Sequence, residues 1–283
     1  MARADRSLAG LVPSLQGPGL AAVTAHMRRV HEEQGPKPTA DGTRLRGSMA
    51  RNCARKIAFE IIGEPAEIPF EDSTLVAFEV GNLWHETIQL ALAEQYDAKT
   101  EVMVSYREVG FDLSGSADAV YRWGNATVCV EIKSMKTFAW DLQTKGNYTM
   151  GQPSGPKPEH LVQAGLYAMS PQIQAHIVHM IYVNKDDGRL TEWLIPLEED
   201  LGPMGLPERS ISSLVKTEIR RMQDILMDID SGVLPARDIP GYGLVEEPPP
   251  RGSKGQPWNC RFCPYQPKCS TLFVDAVPGY SKE

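Results

Sequence analysis

The order of signals along the chain predicts an α/β or α+β fold, with a small mixed sheet flanked by helices. Helical periodicity dominates up to about residue 96 and returns near residue 210. Between these regions lie short β-rich segments, bounded by turn residues and interrupted by one helical stretch. Strands do not alternate regularly with helices, which excludes a doubly wound sheet. At 283 residues, 42% hydrophobic and 23% charged, the chain can bury a substantial core. It reads as one domain: a helical part over 1–72, a core over 73–200, and a helix with a cysteine-bearing tail over 201–283.

Taken in order, Leu20–Glu33 has helical periodicity with polar flanks. Gly47–Ile62 reads as a second helix, ended by Gly63-Glu64-Pro65. Asp72 or Ser73 caps a long helix to about Tyr96, with Leu75, Phe78, Leu83, Ile88 and Leu92 recurring along it. Strands are expected at Glu101–Val109, Ser116–Trp123, Ala126–Ser134, Ile177–Asn184 and Thr191–Pro196. Helices are expected at Glu159–Met169 and Ser210–Ile229. Thr144–Pro158 and Pro235–Pro257 read as irregular, and there is no internal repeat. The first irregular stretch follows a candidate active strand, which makes Lys145 and Tyr148 candidate substrate contacts.

Gly124-Asn125 is a two-residue hairpin turn. Counting outward from it, Asp118 falls directly opposite Glu131. Cβ atoms in such pairs are about 4.5–5.5 Å apart, and like charges there are destabilising. A bound cation explains the pair. Lys133, two residues beyond Glu131, shares its face. Two carboxylates holding Mg²⁺ or Mn²⁺ beside an ammonium suit phosphodiester hydrolysis. The alternative is a surface hairpin with an ordinary Glu131–Lys133 pair.

Net charge is −7, which excludes a surface coated in basic residues for general DNA binding. The charge is uneven. Arg44, Arg46, Arg51, Arg55 and Lys56 cluster without acids over 42–59, as do Arg251, Lys254, Arg261 and Lys268 over 251–269. No apolar run is long enough to span a membrane and no signal-peptide core is present, so the expected location is the cytosol.

In a reducing cytosol, clustered cysteines point to metal. Cys260, Cys263 and Cys269 are close in sequence, while Cys53 lies 207 residues before Cys260. Four thiolates suit zinc or an iron–sulfur cluster; a local three-cysteine zinc knuckle with a histidine is the alternative. A centre using Cys53 would join the two acid-free stretches, with Trp258, Phe262 and Tyr265 interleaved. Arg51, Arg55 and Arg261 are then candidates for a single-strand surface. Cys129 reads as a small core residue.

Gly115-Ser116-Ala117-Asp118, Glu131-Ile132-Lys133 and Gln163-Ala164-Gly165-Leu166-Tyr167, in this order, resemble the PD-(D/E)xK nuclease superfamily. The following Gln-x3-Tyr helix and the upstream Gly81-Asn82-Leu83-Trp84-His85 resemble its RecB-like branch. The cysteine pattern is similar to that of its iron–sulfur subset, which includes CRISPR-associated RecB-like exonucleases and phage relatives. The resemblance spans about residues 50–270, with Ala117 where the superfamily name has Pro. It implies a restriction-endonuclease-like sheet and a metal-dependent DNA exonuclease acting on single strands or ends. His85, Asp118, Glu131 and the Ile132 carbonyl would hold Mg²⁺ or Mn²⁺, and Lys133 would be the catalytic lysine. Gln163 and Tyr167, one turn apart, would position the lysine or substrate. Cys53, Cys260, Cys263 and Cys269 would bind a [4Fe–4S] cluster that joins the terminal segments. His160, three residues before Gln163, reads as a capping or solvated residue. A role as an end-binding or processing subunit in recombination or CRISPR adaptation is the alternative, and no heptad pattern sets an oligomeric state.

Overall fold

The hairpin about Gly124-Asn125 forms in the register that its turn dictates. In the computed structural model, β3 (Leu113–Trp123) and β4 (Ala126–Met135) pair antiparallel from Trp123↔Ala126 to Ala119↔Val130. Gly124 supplies the positive φ of +58° that such a turn requires. The structure describes residues 18–34, 42–146, 153–204, 210–241, 243–245 and 257–271.

Two compact units are distinguished. The smaller combines α1 (Pro18–Gln34) with residues 70–79, the start of α3 (Asp72–Tyr96). In it Arg28 Nε donates to Asp72 Oδ1 at 2.7 Å, and Phe70 packs edge-on against His31 and Phe78.

The larger unit, residues 38–69 and 80 onward, contains the sheet. Its strands are β1 (Leu45–Arg46), β2 (Lys99–Ser105), β3, β4, β5 (Ile177–Asn184) and β6 (Leu190–Pro196). β4 and β5 are parallel, and the crossover between them contains α4 (Thr137–Lys145) and α5 (Pro158–Ala168). β5 and β6 are antiparallel, as are β2 and β3, whereas β1 runs parallel to β3. This is the mixed sheet the sequence predicts, flanked by helices.

β3 has β2 along one edge. Its other edge is shared: β4 pairs with 119–123 and β1 with 113–114, so the sheet forks in between. The side-chain alternation also reverses at the fork. Leu113 and Ala117 join the core formed with Leu161, Leu166 and Tyr182, whereas Ala119 and Tyr121 pack with Ile88 and Leu92 of α3. A regular strand would place all four on one face. The partner strand is irregular at the same level. Glu101 has φ +48° between the pairs Thr100↔Ala119 and Val102↔Ala117.

On the α5 side, α6 (Ile211–Asp230) adds Leu214, Val215 and Met222 to the core. Gly165 permits the close approach, because a Cβ there would lie 2.6 Å from Ile211 and Val215 methyls. Ser210 caps α6, its hydroxyl accepting from Ser213 N–H at 3.3 Å.

Three expected elements differ. Gly47–Ile62 is not one helix: a 3₁₀ turn at Gly47–Met49 precedes α2 (Ala54–Ile61). Arg51, at φ +56°, breaks the run and donates its N–H to Glu218. The strand from Glu101 stops at Ser105, since Tyr106 turns into a 3₁₀ segment ending at Gly110. The helix α4 has weak signals of its own. Its cap comes from the β5–β6 loop, where Asp186 Oδ2 accepts from Thr137 N and Oγ1, both at 2.8 Å. The remaining elements are short: the β7 (Asp238–Ile239) and β8 (Gly243–Leu244) ribbon, then α7 (Trp258–Arg261) and α8 (Gln266–Thr271). Among the described residues, no helix is long and apolar enough to cross a membrane.

Candidate active site

Asp118 and Glu131 are the first residues past the last rung that joins β3 to β4. With the strands parting, Asp118 Oδ2 accepts the Ile132 N–H at 2.6 Å, taking the place of a backbone carbonyl. Asp118 Oδ1 lies 3.4 Å from His85 Nδ1. One turn along α3, Gln89 Nε2 donates to the Asp118 carbonyl at 2.9 Å and to Glu101 Oε1 at 2.8 Å. Thus α3 holds both the side chain and the backbone of Asp118. Gln89 escaped the sequence reading, although its i+4 relation to His85 places the two on one helix face.

Glu131 is buried, 2% exposed. Lys133 Nζ approaches Glu131 Oε1 at 2.6 Å and donates to Gln163 Oε1 at 3.0 Å. Gln163 Nε2 in turn donates to Tyr167 OH at 3.4 Å. The α5 face therefore orients the lysine. Tyr167 is itself fixed: its ring lies where Cβ atoms on Gly47 and Gly115 would come within 2.4 and 2.5 Å. His160 is not a solvated cap. Its Nδ1 is 2.7 Å from Tyr182 OH, and burial, with the ammonium groups of Lys133 and Lys157, keeps its pKa well below the usual histidine range.

The charge balance suits a cation. Burial pushes the Glu131 carboxyl up to about 7, against the opposing pull of Lys133 and with a further push from Asp118. Its Oε2 is buried and receives no hydrogen bond among the described residues. An oxygen so placed is costly unless a donor or metal meets it. Among the described residues, no three His, Cys, Asp or Glu side chains are gathered into a ready metal cage. Lys133 and the Ile132 N–H meanwhile hold the acids. Ile132 is fully buried and contributes its N–H to the site.

Cys53 is the N-cap residue of α2, Cys260 lies on α7, Cys269 on α8, and Cys263 between them. Burial pushes the Cys260 and Cys263 thiols up to about 11, and Cys53 and Cys269 are close enough to add to that. The tail docks on 64–68: Glu67 and Ile68 donate to the Pro264 carbonyl, and Lys268 pairs with Glu64. Two buried guanidinium groups face the thiols. Arg237 Nε donates to Cys269 Sγ at 3.2 Å, and Arg55 also hydrogen-bonds Cys269. Such cations compensate thiolate charge, so the donor set fits a thiolate-ligated centre. Cys129 is fully buried in the core, as expected.

Of the residues expected on a basic single-strand surface, Arg55 is corrected by this arrangement. Arg55 is 1% exposed and donates to the Pro235 carbonyl at 2.9 Å, so it cannot meet a polynucleotide. Tyr265 is buried against Phe59. Acids distant in sequence meet the other cations: Arg44 pairs with Asp112 and Asp230, and Arg46 and Lys56 with Glu60. Arg51 is partly exposed, and Arg261 is exposed beside the Phe262 ring. Lys145 is exposed but paired with Asp141 at 3.0 Å. Tyr148 lies outside the described residues.

No family model and no curated protein matches the chain. Among solved structures it is similar to SSO0001, known from a crystal structure, at 18% identity and a TM-score of 0.50. The similarity covers 90% of this chain and 98% of that one, so the two share the mixed α/β fold over nearly their whole lengths.

Proposed function

We propose that the protein is a metal-dependent DNA exonuclease of the PD-(D/E)xK type, acting on single strands or ends in the cytosol. One observation carries this reading above the rest. A buried carboxylate with an unsatisfied oxygen stands at a strand fork, beside Asp118 and an oriented lysine. Asp118, Glu131, His85 and the Ile132 carbonyl would hold Mg²⁺ or Mn²⁺. The bound metal supplies a Lewis acid and a water of lowered pKa. Gln163 orients Lys133 so that its ammonium faces the charge developing on the phosphate. Gln89 and His85 keep Asp118 in place while phosphate binds. The four cysteines would hold a [4Fe–4S] cluster with a structural role.

The test uses protein purified without oxygen, end-labelled single-stranded DNA and Mn²⁺. Wild type shortens the strand from one end, whereas Lys133→Ala binds it uncut. If neither protein cuts but both bind DNA, the reading fails and a recognition role in recombination or CRISPR adaptation replaces it.

A further inference from the structure

The α5 face that orients Lys133 carries a second polar side chain, His160, one turn before Gln163. Contacts through β5 fix its place beside the lysine. Lys133 and Tyr182 are register partners on the parallel strands β4 and β5, about 4.8 Å apart, so their side chains share one face of the sheet. Tyr182 packs there in the same core as Leu161 and Leu166 of α5. Its OH lies 2.7 Å from His160 Nδ1, and the two rings pack edge-on with centroids 5.5 Å apart. His160 and Gln163 thus reach the neighbourhood of Lys133 from one helix face, the first through Tyr182 and the second directly.

The same hydrogen bonds determine which ring nitrogen carries the proton. Tyr182 is fully buried, and its oxygen already accepts the Lys157 N–H at 2.9 Å. A buried hydroxyl must also place its own proton, and the acceptor in reach among the described residues is His160 Nδ1. The proton of the ring is then on Nε2. That nitrogen faces away from Tyr182 and has no hydrogen-bond partner among the described residues, in a side chain that is only partly buried. Burial, together with the Lys133 and Lys157 ammonium groups, holds the ring uncharged. A third cation here would be repelled by those two. An uncharged N–H adds a donor for an anion without that cost.

We infer that His160 contacts the substrate, its Nε2–H donating to a non-bridging oxygen of the phosphate drawn to Lys133. This rests on the nuclease reading for the identity of the substrate as a phosphodiester strand. Tyr182 is the positioning group, since its hydroxyl sets the tautomer and aims the ring, as Gln163 aims the lysine one turn further along α5.

The test has two arms, both on the full chain without divalent metal. In the first, nitrogen-15 NMR of the histidine rings near neutral pH should show His160, assigned by its absence from the His160→Gln spectrum, protonated on Nε2 alone. That signal should shift when a short oligothymidylate is added. An Nδ1–H ring, an imidazolium, or a signal unmoved by a bound strand overturns the inference, even if a variant fails to fold. The second arm is oligothymidylate affinity over a range of salt. His160→Asn, whose amide oxygen still accepts from Tyr182, should weaken binding about 10- to 150-fold, the effect of one lost hydrogen bond to a charged group. The slope of log affinity against log salt should stay unchanged, because it counts neutralised phosphates. His160→Gln, which carries an N–H near the position of Nε2, should recover most of the loss. Unchanged affinity in His160→Asn overturns the inference, and a slope reduced by about 0.7 overturns the uncharged donor. The two readings fail separately. Wild type that binds the strand through His160 but never cuts it with Mn²⁺ defeats the nuclease reading alone. Cutting by wild type, with His160→Asn binding normally, defeats the inference alone.

Discussion

Glu131 carries two opposed demands. Burial favours its protonated form, whereas a divalent cation needs the carboxylate. Its folded-state pKa is raised above its unfolded value, so its contribution to stability is complete below the unfolded pKa, near 4.5. That contribution falls as pH rises towards about 7. Without metal, thermal unfolding should show stability declining across this window, and Glu131→Gln should flatten the decline. With Mn²⁺, calorimetry should find affinity rising through pH 7 with release of close to one proton. Lys133→Ala should lower the cleavage rate by 10²-fold or more with little effect on DNA affinity, measured by single turnover and by binding. The neighbourhood of the acid pair was legible because the two-residue turn fixes the register as far as Ala119↔Val130, and Asp118 and Glu131 lie just past that rung instead of pairing directly across it. The Gln89 clamp was not, because it depends on the angle at which α3 crosses the sheet. Arg55 was misread for a related reason: a buried arginine and an exposed one look alike in sequence.

Among the elements, Tyr167 packs against β3 beside its fork. The ring lies over Gly47 and Gly115, tying α5 to the turn after β1 and to β3. Gly115→Ala should therefore cost about 1–3 kcal/mol in denaturant unfolding. Combining it with Tyr167→Leu should cost less than the sum of the two changes. A Gly115→Ala protein as stable as wild type would show that the ring can move aside. Ser210→Ala should cost about 1 kcal/mol through the lost cap of α6. Long periodic helices and the strands near the turn were legible element by element. The split of Gly47–Ile62 and the helix α4 were not. Their causes, Glu218 holding the Arg51 turn and the Asp186 cap, come from distant parts of the chain.

At the level of the whole molecule, α8 is brought to α2, with the buried Arg55 and Arg237 both hydrogen-bonding Cys269. Without a metal, this leaves two cations facing weakly acidic thiols in a region with little solvent. Cys53→Ala should lose iron, solubility and nuclease activity together, measured by iron content and by the end-labelled assay. A variant that folds and cuts normally without iron would remove the cluster from the account. The spacing of the four cysteines was legible; their arginine partners were not, since Arg237 lies in a stretch that reads as irregular.

The order of assembly follows from where these parts lie in the chain. His85, Asp118, Glu131, Lys133, Gln163 and Tyr167 all precede α6, and every cysteine of the tail follows it. During synthesis, the residues proposed to cut DNA emerge well before the segment that clasps the fold. Glu218 of α6, which accepts the Arg51 N–H, also arrives after them. The β1 segment, made before the other strands, pairs with β3, and the adjoining Arg44 is tied to Asp230 of α6. The stretch that holds these residues is therefore made before the segments that brace it.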